Sequence, residues 1–310
     1  MTLLNIITDV KVWVLIGLIL GITIGFEHPS AATILMLVLI IQMTLSLDGL
    51  AFRKEDFKDD AKGILLNVVF CFVVNTGLTL ITGLFFIDDT ALWYGWIMLS
   101  SVPCGVSVVS AALLMKGDTK LAVLSLTVIY IVALGLTPLI THLLIGNAVS
   151  PLEVLRYILM FILIPFILTI PLKRLHLPRV PKVIGINIMM MLMIFIGLGS
   201  RRDYIFTEPM VVVWIIIACL FRIFAFSTIL TITLKKIGTD RGSAITHVSM
   251  AFWKNSGMAT SMTMALLATV YQSAVLPCIV SLVMEAAWFA IFNALITKIW
   301  PAESSNIQSE

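Results

Sequence analysis

Three ionisable side chains stand in the middle of long apolar runs of this 310-residue sequence: Arg222, Lys254 and Glu285. At the centre of a bilayer each costs roughly 3 kcal/mol on the insertion scale. Together they cost on the order of 9 kcal/mol, comparable with the stability of a whole domain. Such groups must face one another, a wet cavity or a ligand. Glu285 can pair with Arg222 or with Lys254, and either pair can serve only to hold helices together. Either pairing leaves one positive charge unmatched. Two basic groups and one carboxylate at similar depth therefore favour an anion.

Two short clusters interrupt the apolar runs themselves. Pro103-Cys104-Gly105 lies in the fourth run and Asn255-Ser256-Gly257 in the ninth. Proline removes a backbone donor and clashes with the preceding turn, and glycine loosens the helix. A broken helix leaves N–H and C=O groups without partners, carrying the partial charges of helix ends. Glycine and proline are common in membrane helices at large. Breaks at matching places in two halves of a chain are a stronger signal, and point to a mid-membrane transport site. Pro103, Gly105 and Gly257 are read as the structural breaks. Ser107, Asn255, Ser256 and Thr260 beside them join Arg222, Lys254 and Glu285 as candidate substrate contacts.

The elements that carry these residues follow from composition. Hydrophobic residues make up 60% of the chain and charged residues 12%, against roughly 25% charged in soluble domains. A soluble fold of this size could not hide so much apolar surface. The net charge of +3 is too small to argue for nucleic acid. A span needs about 20 apolar residues. Ten candidates appear, at 11–26, 31–47, 62–86, 92–115, 119–144, 151–170, 183–198, 210–234, 244–268 and 274–299. The first, second and seventh are short. The runs are continuous rather than alternating, so the expected class is an all-α integral membrane protein and not a barrel. The first run lacks a basic n-region and reads as a span, not a leader. Cys71, Cys104, Cys219 and Cys278 sit in four separate runs and read as small hydrophobes, with no metal and no disulfide framework. No cofactor or enzymatic motif is visible.

Lysine and arginine orient the spans. With the N-terminus inside, the inner segments hold 15 of the 20 basic residues, among them Arg53, Lys54, Lys58, Lys116, Lys173 and Lys236. The outer loops hold two, Arg201 and Arg202, and three (Arg156, Arg222, Lys254) fall within spans. Both termini are therefore expected in the cytoplasm of a cell-membrane protein, with a short polar tail at 301–310. The chain divides near 145–150 into five spans plus five, and an odd-numbered repeat must be inverted relative to its copy.

Three segments carry a resemblance to the bile acid:sodium symporter family. They are Ser46-Leu47-Asp48-Gly49-Leu50 through Asp56-Phe57; Ser101-Val102-Pro103-Cys104-Gly105 with Lys116-Gly117-Asp118 and Thr137-Pro138; and Asn255-Ser256-Gly257 with Leu276-Pro277. The resemblance implies ten helices in 5+5 inverted repeats, with helices four and nine broken and crossed at mid-membrane. It implies a six-helix core moving against a panel of spans 1, 2, 6 and 7, and organic-anion substrates. It places Glu285 at a polar position lining the substrate cavity.

The departures from that family bear on its ion. A Ser-Asn pair that ligates sodium aligns with Val108 and Val109, a ligating Glu with Met250, and a ligating Gln with Lys254. Hard cations take oxygen ligands, and these side chains offer none. Lys254 is read as fixed or titrating charge in place of sodium, with protons as the candidate coupling ion. The expectation is a secondary transporter of a small or amphipathic organic anion, not strictly sodium-coupled. The alternative is a cation/proton antiporter of similar crossed-helix fold, which an acidic pair at the crossing would favour. A receptor or membrane enzyme has no supporting motif. Gln42, Asn67 and Asn75 line the cavity or join helices. Ser261 and Thr263 bind substrate or bond back to their own helix. His247 reads as a satisfied polar residue, and Trp253 and Trp288 as packing.

Overall fold

The computed structural model describes residues 3–47 and 56–301, and within them every regular element is a helix. Lipid offers the backbone no hydrogen-bond partner, so each apolar run must bond within itself. The principal helices are α1 (Val10–Thr23), α2 (Ala31–Leu47), α3 (Ala61–Phe86), α4 (Thr90–Ser101), α5 (Ser107–Leu114) and α6 (Thr119–Ile145). They continue as α7 (Pro151–Arg174), α8 (Arg179–Gly199), α9 (Pro209–Lys236), α10 (Arg241–Phe252), α11 (Ser256–Leu266) and α12 (Val275–Ile299). The Asp48-Gly49-Leu50 motif, Arg53, Lys54 and the tail beyond 301 lie outside the described residues.

Among the described residues, six helices are long and apolar enough to cross a membrane: α3, α6, α7, α8, α9 and α12. α1 and α2 are apolar but shorter, at 14 and 17 residues. The seventh run, expected to be short at 183–198, is instead a helix of 21 residues beginning at Arg179. Its first turn holds Pro181, which the unpaired start of a helix tolerates, and basic side chains whose stems can lie along apolar surface. Acidic and amide caps begin several helices. The Asp89, Asp118, Asp240 and Asn255 side chains accept from the backbone N–H of Leu92 (3.0 Å), Leu121 (2.8 Å), Ser243 (2.9 Å) and Met258 (3.0 Å).

The helices pack in two neighbourhoods, joined where α6 lies against α7 and α2 against α11. α1 and α2 both lie against α8, and α2 also against α7. Gly17 and Gly21 let α1 approach α8 closely, as small residues do between membrane helices. A Cβ at Gly17 would stand 2.8 Å from the Met191 carbonyl oxygen. In the second neighbourhood α3 packs on α4 and α6, and α12 packs on α4, α9 and α11. α3 and α9 each wind as a π-helix in mid-course, at Phe70–Asn75 and Phe221–Ala225. Such segments shift the hydrogen-bond register and often mark functional positions.

Candidate functional site

The two breaks meet. α4 stops at Ser101 because Pro103 biases Val102 to extended backbone, where it lies at φ −71° and ψ 153°. α10 stops at Phe252, and Trp253 is likewise extended. The two interruptions run antiparallel, Cys104 opposite Lys254, with the Asn255 N–H donating to the Pro103 carbonyl at 2.8 Å. Proline cannot donate, but its carbonyl still accepts. The pairing satisfies backbone groups that would otherwise be stranded in a lipid-like interior. Gly105 makes the approach comfortable, since a Cβ there would stand 3.3 Å from the Lys254 carbonyl oxygen, closer than an ordinary van der Waals contact. Asn255 caps α11 through Oδ1, and its Nδ2 donates to the Tyr130 hydroxyl at 2.9 Å.

The three mid-run charges gather around this junction, each buried to 1% exposure or less. Arg222, in the π segment of α9, donates to Glu285 Oε1 at 2.8 Å, to the Phe252 carbonyl at 3.1 Å and to Asn75 Oδ1 at 3.3 Å. It also donates to the Ser281 hydroxyl. Glu285 accepts in addition from Ser256 Oγ at 2.7 Å and from Ser281 Oγ at 3.2 Å. Of the two pairings open to Glu285, the structure places Arg222 against it. Lys254 reaches Glu285 only through its backbone N–H, at 3.2 Å.

The Lys254 ammonium turns the other way. It donates to the Ser100 carbonyl at 2.8 Å, the Val102 carbonyl at 3.0 Å, Thr76 Oγ1 at 3.0 Å and the Cys71 carbonyl at 3.1 Å. Two of these oxygens belong to the C-terminal end of α4, whose last carbonyls have no intrahelical partner. The Cys71 carbonyl lies in the π segment of α3. Each broken helix thus ends against a cation, α4 against Lys254 and α10 against Arg222 through the Phe252 carbonyl.

The opposite, N-terminal ends of α5 and α11 open on a cavity of about 40 Å³. Gly105, Ser107, Trp253, Asn255, Ser256 and Gly257 line it from the breaks, Gln42 and Ser46 from α2, and Met193 from α8. That volume has room for roughly two or three waters. A larger apolar crevice of about 340 Å³ runs between α2, α6 and α7, with Tyr130 in its wall and Lys173 at one end.

The remaining sequence candidates fall elsewhere. The Thr260 hydroxyl is buried and bonds back to the Ser256 carbonyl at 2.7 Å. Asn67 joins helices, donating to Ser125 Oγ at 2.7 Å and standing 2.6 Å from His247 Nδ1. Trp288 packs on Phe224 and Phe292. Of the positions that align with sodium ligands, Val108 is buried apolar surface and Met250 meets the Cys104 thiol at 3.3 Å. Neither side chain offers an oxygen to a hard cation. Thr76, Tyr130 and Ser281 were not singled out from the sequence. Ser281 was within reach of such reasoning, because it lies one helical turn before Glu285 on the same face.

The model of the sodium bile acid symporter family matches residues 33–208. The match runs from α2 through the first break and α8 and ends just before α9, so Arg222, Lys254 and Glu285 lie beyond it. Among curated proteins nothing matches the chain. The matched segment covers more than half of the 310 residues and includes the Pro103 break that α10 and α11 answer. It carries a multi-pass arrangement of apolar helices suited to membrane transport. The chain belongs to the sodium bile acid symporter family.

Proposed function

We propose that the protein is a secondary transporter of a small or amphipathic organic anion, working by alternating access and without strict sodium coupling. The observation that carries this reading is the charge balance at the breaks. Glu285 is matched by Arg222, and the Lys254 ammonium remains as a buried positive charge. The carbonyl ends of α4 and α10 are occupied by side-chain cations, so the helix ends facing the cavity are N-terminal ones, with positive partial charge. An anion between them is favoured and a cation is not. Among the described residues Glu285 is the one carboxylate bonded at the junction, which speaks against the acidic pair that a cation/proton antiporter would need.

Several features support ten spans in two inverted halves. α4 and α10 are each 12 residues long and each begins at an aspartate cap. The starts of α4 and α10, and the starts of the two π segments, are both offset by 151 positions. α1, α2, α7 and α8 are read as the panel, moving against the remaining helices and opening the small cavity at the breaks. The crevice ending at Lys173 suits an amphipathic anion on its way to that cavity. Both termini are read as cytoplasmic and the membrane as the cell membrane. Protons are the candidate coupling ion.

The test is thermal unfolding of the purified chain against a panel of carboxylates, sulfonates and bile acids, in sodium and in potassium at equal ionic strength. A ligand that binds only the folded state raises the melting temperature saturably. At least one anion should do so, equally in both salts. A rise that requires sodium would overturn the ion reading, and a panel without any effect would overturn the anion reading.

A further inference from the structure

We infer that the oxygen cage around the Lys254 ammonium is a monovalent-cation site which the chain fills with its own side chain, and which accepts a free ammonium-sized cation when that side chain is shortened. The cage is made of the Ser100, Val102 and Cys71 carbonyls and the Thr76 hydroxyl, at 2.8–3.1 Å from Nζ. All of it is buried.

Three properties of the cage point to this. Its oxygens exceed what the occupant needs: an ammonium has three N–H donors and meets four oxygens, so at least one hydrogen is shared. It contains dipoles and no carboxylate, which suits a single positive charge and not a divalent ion. Its distances fit an ammonium and are long for a small hard ion such as calcium, which takes oxygens at about 2.3–2.6 Å. The carbonyls also have a reason to want a cation there. Those of α4 are at a helix C-terminus, where partial negative charge collects. The Cys71 carbonyl sits where a π segment changes the bonding register. Thr76 completes the set, donating to the Ser100 carbonyl at 2.8 Å while accepting from Lys254.

None of the cage atoms comes from Val108, Val109 or Met250. Lys254 aligns with a sodium-ligating Gln and fills the cage with its Nζ, but the cage oxygens themselves come from Ser100, Val102, Cys71 and Thr76 and not from positions that align with sodium ligands, and the site is closed by a charge the protein cannot release. This inference rests on the cage geometry and not on what the protein carries, so it can fail while the anion reading stands.

The experiment uses the full chain in detergent, with N-methylglucamine as the bulk cation, titrated with ammonium, methylammonium, potassium or sodium chloride at constant ionic strength. Wild type should show no saturable change in melting temperature. Lys254→Ala should melt lower and regain most of that loss, saturably, with ammonium or methylammonium. Lys254→Met fills the same channel with an uncharged chain and should melt lower without rescue. Adding Thr76→Val to Lys254→Ala should weaken the rescuing cation by roughly tenfold or more, the usual scale of one hydrogen bond to a charged group. Lys254→Ala is also purified throughout in ammonium and, separately, in N-methylglucamine. Its yield of monodisperse protein should depend on ammonium. A Lys254→Ala protein indifferent to every small cation, or one rescued no better than Lys254→Met, overturns the inference. So does a variant that fails to fold in all of them.

Discussion

At the scale of single residues, the junction separates two kinds of buried charge. Arg222 and Glu285 are partners, each also held by neutral groups: Asn75, Ser281 and the Phe252 carbonyl on one side, Ser256 on the other. Removing one member strands the other, at a cost of about 3–5 kcal/mol. Replacing both by apolar residues of similar volume is often near neutral. Arg222→Met alone and Glu285→Met alone should therefore lower stability by that amount, and Arg222→Met with Glu285→Met should recover most of it. Chemical unfolding of the three variants checks the cycle. Uptake by the double variant then separates structure from function, because normal transport would show that the pair only joins α9 to α12. Lys254 has no such partner to release it. Lys254→Met should weaken anion binding by on the order of 1–2 kcal/mol through loss of long-range potential, measured by ligand titration of melting temperature. Unchanged affinity in a folded Lys254→Met protein would remove Lys254 from the substrate argument. The sequence made the three charges visible because nothing else costs so much in an apolar run. It did not reveal the partner of Lys254, because three of its four acceptors are backbone carbonyls, which any residue type supplies.

At the scale of elements, the half-helix α4 is held where it is by a missing side chain. A Cβ at Gly95 would come 2.1 Å from the Ala274 carbonyl oxygen, just before α12 begins. Backbone on both sides leaves little room to yield. Gly95→Ala should destabilise by about 1–3 kcal/mol, the usual cost of overpacking, and should shift α4 relative to the break it feeds. Gly77→Ala in α3 is the control, since a Cβ there meets nothing within 4 Å, and helix propensity favours alanine. A Gly95→Ala protein as stable as Gly77→Ala would show that α4 and α12 are more loosely joined than their contact implies. Elements of this kind were legible to different degrees. The run 31–47 coincides with α2, and the breaks fell on Pro103 and Asn255, because proline, glycine and apolar length act locally. The π segments in α3 and α9 were not legible. Arg222 lies within one and the Cys71 carbonyl that accepts from Lys254 within the other, but neither segment contains a proline or glycine to announce it.

At the scale of the whole molecule, the proposal fixes which way the chain is threaded. On the proposed topology, which puts 15 basic residues inside and two outside, α10 enters from the same side as Lys58 and Lys116. The four native cysteines are buried, so impermeant thiol reagents should leave the wild type unlabelled and no cysteine-free background is needed. Single cysteines at Lys58, Lys116 and Lys236 are exposed positions and should react only in inside-out vesicles. On the other side Asp88 is the better probe than Asp89, because Asp89 caps α4 and losing a cap costs about 1 kcal/mol. A cysteine at Asp88 should react on intact cells. Labelling at 236 from outside would place α10 upside down. The two aspartate-capped half-helices would then enter from one face, their carbonyl ends could not oppose each other at the junction, and the inverted-repeat reading would fall together with the transport site built on it.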